Sequence, residues 1–164
     1  MKKLFLCMVV ALMAMGASAQ VSWNLKAGLG ALFEYNDKVG AYFTENAAVQ
    51  ANIPLMGKTK PLTFSPSLEI EYVDTEYDSY ANFNLPLHLG YKFYIADNAI
   101  LFPKIGPMVG VAIGEDADLM VGPSAELAFE IKHLVISLNG YYNAIQNKHF
   151  GVAGGLFANI GYKF

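Results

Sequence analysis

Cysteine is all but missing. The one cysteine among 164 residues, Cys7, lies in an apolar N-terminal run, so no disulfide framework can hold the fold. Charge is scarce as well, at 15% of residues with a net of −3, against about 25% in ordinary globular domains. That balance leaves no basic surface for nucleic acid. Beyond Gln20 no run of about 18 apolar residues occurs, which excludes a membrane-spanning helix. His88, His133 and His149 stand apart in sequence and have no cysteine beside them, so a zinc site is unsupported. Glu115-Asp116-Ala117-Asp118 is acidic but lacks the glycine and terminal glutamate of a calcium loop, and reads as a solvated tip. There is no Gly-x-Ser-x-Gly motif and no phosphate loop. Hydrolytic chemistry would require Asp78, Ser79 and His149 to converge at one rim. No catalytic residue, cofactor site or metal site is assigned.

What the chain does have begins at its N-terminus. Lys2 and Lys3 precede an apolar stretch from Leu4 to Met15, and Ala17-Ser18-Ala19 supplies small residues before Gln20. This is the pattern of a cleavable secretory signal peptide, expected over 1–19, with one domain over 20–164. An exported domain without cysteine must be stabilised by its own packing or by a bilayer.

Alternation fills the rest. In the last sixteen residues Val152, Leu156, Ala158, Ile160, Tyr162 and Phe164 share one face, while Gly155, Asn159 and Lys163 share the other. Period two over such a length means a strand. Eight alternating segments can be counted, at about 22–33, 41–53, 62–73, 80–95, 99–113, 118–132, 133–144 and 149–164. Each exceeds the ~5–6 residues of an average strand and supplies the ~9–11 that a tilted membrane strand needs. Connections at 34–40, 74–79, 114–117 and 145–148 fall on one side, three of them acidic; the other side has 55–61, a tight turn at Asp97-Asn98 and another at Lys132-His133. An even strand number returns both termini to one rim, as an up-and-down barrel requires.

Whether that barrel faces water or lipid depends on its polar face. A soluble barrel needs a polar exterior, and here the polar face is too thin: mostly Gly, Ala, Ser and Asn. Its sparse charges balance, with Glu34, Glu69, Glu71, Glu126 and Glu130 against Lys26, Lys92, Lys104, Lys132 and Lys163. Balanced charge suggests mutual neutralisation in a closed interior. The expected lumen network is Lys26, Glu69, Glu71, His88, Lys92, Lys104, Glu126 and Glu130, with Lys104 meeting Glu126 or Glu130, and His88 near Glu69. Aromatics gather at segment ends as membrane girdles do: Phe33, Tyr35, Tyr42, Phe43, Tyr72, Tyr77, Tyr80, Tyr142 and Phe150 at one end, Trp23, Phe64, Tyr91, Phe93, Phe129, Tyr162 and Phe164 at the other. Pro66, Pro86, Pro103, Pro107 and Pro123 fall inside strands, where bulges or unpaired carbonyls are expected.

Tyr80-Ala-Asn-Phe-Asn-Leu-Pro-Leu-His-Leu-Gly-Tyr-Lys-Phe93, Lys104-Ile-Gly-Pro-Met-Val-Gly110 and the closing Gly161-Tyr-Lys-Phe164 resemble the strands of the PorT-like outer-membrane β-barrel family. The resemblance spans 20–164 and implies an eight-stranded antiparallel barrel inserted by the outer-membrane assembly machinery; it makes the in-strand prolines a family habit. No catalytic motif transfers. The expectation is a monomeric, non-enzymatic barrel of the bacterial outer membrane. Its partners are the lipid bilayer and, through an assembly signal at Tyr162 and Phe164, the insertion machinery, and its role is structural or a surface interaction through short acidic loops. A passive pore and a rim-sited lipid-modifying or proteolytic enzyme are the rivals.

Overall fold

The computed structural model describes residues 21–36, 38–55, 61–74, 79–114, 117–144 and 152–164. The expected signal peptide, the acidic pair Glu115-Asp116, and Tyr77, Asp78, His149 and Phe150 lie outside the described residues. Nine strand segments follow in chain order: β1 (Ser22–Asn36), β2 (Lys38–Pro54), β3 (Leu62–Asp74), β4 (Ser79–Tyr91), β5 (Phe93–Ala96), β6 (Ala99–Ile113), β7 (Ala117–Ile131), β8 (Leu134–Tyr142) and β9 (Val152–Lys163). β5 continues β4 past Lys92, so the nine segments make eight barrel strands. All pairings are antiparallel, β1 pairs with β9, and β4 pairs with β6, which closes the sheet on itself. The first hairpin is longer than its sequence suggests: pairing runs up to Asn36 opposite Lys38, where a loop over 34–40 is expected. Conversely, Lys132 and His133 form a two-residue turn between Ile131 and Leu134, and Lys132 carries the positive φ, 52°, that such a turn demands.

Pro66, Pro86, Pro103, Pro107 and Pro123 each mark a lapse in the ladder, and none shifts its register. Between β2 and β3 the pairing skips from Gln50–Ser67 to Ile53–Phe64, across Pro66. Between β3 and β4 it skips Pro86, and between β4 and β6 it skips Pro107. Pro103 stands where β4 gives way to β5, and the Lys92 N–H turns instead to Pro61 O at 2.9 Å. The β7–β8 ladder stops one residue short of Pro123 and is resumed by Ala144 N–H to Val121 O at 2.8 Å. A proline withholds one donor toward one neighbour, so it costs a local rung and leaves the alternation intact. Bulges occur elsewhere, at Phe33–Glu34 against β9 and at Tyr94–Ala96 against β6. Of the two expected outcomes at the prolines, bulges or unpaired carbonyls, the ladder shows no bulge there; rungs lapse while the register is kept.

The molecule is polar inside and apolar outside. Leu25, Leu68, Leu89, Leu119, Leu138 and Ile160 lie 51–61% exposed, whereas Lys26, Glu71, His88, Glu126 and Glu130 are at most 2% exposed. Such a continuous apolar exterior is stable only against lipid, and the chain spans a membrane as a closed barrel. Exposed rings stand near both rims: Phe33, Phe43, Tyr72 and Tyr142 at one, Trp23, Tyr91, Phe93, Tyr162 and Phe164 at the other. Tyr42 departs from the expected girdle. It turns inward against a buried cluster of Leu32, Val73, Met108, Tyr141 and Phe157. The side chains of Tyr35 and Tyr80 lie outside the described part.

Candidate functional site

The interior is the only place where this chain assembles polar chemistry among the described residues, and alternation explains why. Inward positions on successive strands are Lys26 on β1, Gln50 on β2, Glu69 and Glu71 on β3, His88 on β4, Lys104 on β6, Glu126 on β7 and Asn139 on β8, all buried. Glu126 is the hub. It accepts from Lys26 Nζ at 2.7 Å and from Gln50 Nε2 at 2.7 Å, and lies 3.0 Å from Lys104 Nζ. Gln50 in turn accepts from Lys104 Nζ at 2.7 Å, and the same ammonium sits 4.6 Å over the Phe102 ring. Two cations on one carboxylate, with an amide bridging that carboxylate and the Lys104 ammonium, satisfy charges that burial would otherwise penalise heavily.

These contacts cross the barrel. β2 and β7 stand opposite each other in the strand order, so the Gln50–Glu126 bond spans the lumen. β3 and β8 are likewise opposed, and two further links join them: Asn139 Nδ2 to Glu69 at 3.2 Å and Tyr141 Oη to Glu71 at 2.7 Å. Apolar groups close the polar layer above and below, the Leu32–Phe157 cluster on one side and Phe102, Ala128 and Val135 on the other.

Each of the eight expected network residues lies on the inner wall, but they do not form one set of pairs. Lys104 meets Glu126, its direct partner in the β6–β7 register. Glu130 pairs separately with Lys163 at 2.6 Å near the terminal rim, and Lys92, half-buried, lies 5.0 Å over Phe102. Glu69 and Glu71 have no cation within ion-pair distance among the described residues. Neutral donors serve them instead: Ser67 and Asn139 for Glu69, Asn82, Asn84 and Tyr141 for Glu71. His88 is not beside Glu69; its Nε2 lies 2.8 Å from Ser124 Oγ and its Nδ1 3.9 Å from Glu126. Of the balanced charges, Lys132 is exposed in its turn rather than inside.

Sequence reasoning missed Gln50, Ser124 and Asn139. The signal for Gln50 was present in the run Thr44, Asn46, Ala48, Gln50, Asn52, a polar face as regular as any other. It also missed Glu45, which alternates outward from β2 and is exposed.

Ser124, His88 and Glu126 have the order of a nucleophile, base and orienting acid. Their surroundings argue for a structural set. Ser124 Oγ lies 3.2 Å from Gly106 O, to which it donates, Glu126 is already occupied by three donors, and the apolar layers cut the trio off from both rims. Asp118 is likewise no solvated tip: it is buried on the inner face of β7. Among the described residues no three His, Cys, Asp or Glu side chains converge to hold a metal. Outside, a hollow of about 730 Å³ lies over the small residues Ala125 and Gly140, walled by Leu89, Ile105, Leu127, Leu138 and Leu156, where lipid chains would pack.

No protein-family model matches the sequence, and a search of curated proteins returns no match. Solved structures do resemble the fold. Neisserial surface protein A (NspA) superposes with a TM-score of 0.71 at 11% identity, over 88% of this chain and 97% of that one. The outer membrane enzyme PagL gives 0.58 at 14% identity over 86% and 98%, and Ail, the attachment invasion locus protein of Yersinia pestis, gives 0.54 at 15% over 88% and 97%. The fold is that of small eight-stranded outer-membrane β-barrels, a scaffold that carries surface proteins and an enzyme alike.

Proposed function

We propose that this chain is a small, monomeric, non-enzymatic barrel of the bacterial outer membrane, with a structural or surface-interaction role carried by its acidic connections. The observation that supports it best is the crossed lumen: Gln50–Glu126, Asn139–Glu69 and Tyr141–Glu71 tie opposite walls together, which leaves the rims as the exposed polar surface. The connections opposite the termini contain Asp37, Glu76, Asp78, Glu115 and Asp116. NspA and Ail carry surface and attachment in their names, which is in keeping with this reading. The resemblance to PorT-like barrels fits it as well, and so does insertion by the assembly machinery through Tyr162 and Phe164, both exposed at the terminal rim.

The test uses intact cells. Wild-type chain and a variant with Glu76, Asp78, Glu115 and Asp116 all changed to Ser are compared for proteins cross-linked at the surface, and the purified barrel is assayed for lipid and peptide turnover. Partners retained by the wild type and lost with the four carboxylates are the expected result. Turnover of either substrate class would contradict the non-enzymatic reading.

A further inference from the structure

Among the strand residues whose side chains are described, Glu45 is the one charged residue that alternates outward. It sits on β2 directly between Leu29 of β1 and Tyr72 of β3, and these three with Phe43 and Thr44 line an open crevice of about 530 Å³ on the outer wall. Thr44 Oγ1 donates to Tyr72 O, which fixes the strand edge beneath the Tyr72 ring. Both rings of the crevice are turned outward, Phe43 at 75% and Tyr72 at 55% exposure. No cation among the described residues pairs with the carboxylate.

Depth decides what such a carboxylate can meet. Ile53, opposite Phe64 near the terminal rim, lies eight residues along β2 from Glu45. At about 3.3 Å per residue and a tilt of about 40°, that is roughly 20 Å along the membrane normal, against an apolar band about 25 Å tall. Glu45 therefore lies neither at the midplane, where a charge would be costly, nor clear of the membrane. It lies among the girdle aromatics, about 5 Å inside the far edge of the apolar band and so within side-chain reach of the lipid headgroups.

An anionic oxygen in a crevice lined by two aromatic rings and by Leu29 is complementary to an organic ammonium. The carboxylate supplies the opposite charge and the rings supply their negative faces. We propose that this crevice is a lipid-headgroup site, in which Glu45 binds a primary ammonium carried on a lipid headgroup, with phosphatidylethanolamine as its probe, while the lipid chains descend over Leu29 and its outward neighbours. The site is independent of any surface partner and requires only the barrel in its bilayer.

The experiment uses the full mature barrel, refolded into mixed micelles of equimolar phosphatidylethanolamine and phosphatidylglycerol. Lipid retained on the folded protein is counted by native mass spectrometry, with and without EDTA. Wild-type protein should retain phosphatidylethanolamine over phosphatidylglycerol by about fivefold, and Glu45→Gln should retain the two equally. Glu45→Leu, which matches the rest of the outward face and so should insert normally, serves as the second variant and should behave like Glu45→Gln. An unchanged lipid ratio in both variants would overturn the proposal. So would Glu45-dependent retention of phosphatidylglycerol that EDTA abolishes, because the carboxylate would then hold a metal ion bridging to phosphate.

Discussion

Glu126 holds two buried ammonium groups, and at the scale of single residues its removal is the most consequential change inside the barrel. Glu126→Ala strands Lys26 and Lys104, 1% and 3% exposed, without a counter-charge. Breaking a buried pair in this way costs about 3–5 kcal/mol. A urea refolding titration in lipid vesicles should show a loss of that size. The triple variant Lys26→Met, Lys104→Met, Glu126→Leu should recover most of it, because an apolar filling of similar volume carries no desolvation cost. Failure of the triple variant to recover would mean that the ions contribute stability beyond their mutual neutralisation. Alternation alone sufficed to place all eight network residues on the inner wall, since facing depends only on parity along a strand. Which charge meets which was not readable. Pairing depends on register and on reach across the lumen, so His88 finds Ser124 and Glu126 from opposite sequence neighbourhoods and Glu69 finds only neutral donors.

At the scale of strands, the prolines and their preceding glycines act together. Pro107 and Pro123 face each other in the β6–β7 register, and each follows a glycine. A Cβ on Gly106 would overlap the Leu87 carbonyl oxygen, and one on Gly122 the Tyr142 carbonyl oxygen. The neighbouring backbone thus closes in where the ladder lapses, and only glycine leaves it room. Gly106→Ala should cost about 1–3 kcal/mol as overpacking, whereas Gly140→Ala, whose nearest contact is 3.0 Å from Gly155 O, should cost less. Heat-modifiability on gels and the urea midpoint would check both. Strand number and approximate bounds were legible from period two, because the hydrophobic pattern specifies register wherever the two faces differ. The reach of the first hairpin beyond residue 34 was not, since Glu34, Asn36 and Lys38 carry a turn-like composition that ladder pairing overrides.

On the scale of the whole molecule, eight strands enclose an interior that side chains can fill, and here they fill it with links between opposite walls. Outside, among the strand residues with described side chains, the one interruption of the apolar faces by charge is Glu45, which the reading of polar alternation passed over because it stands among outward Phe43 and Ala47. A barrel whose described residues tie opposite walls together and pack apolar clusters on both sides of the polar layer is expected to hold no continuous water path. Single-channel recording of the refolded wild-type barrel in a planar bilayer tests this most directly. The structure predicts no sustained open level, with steps appearing only once Glu126→Ala or Lys104→Ala cuts the crossing network; a large, steady conductance from the wild-type protein would contradict it.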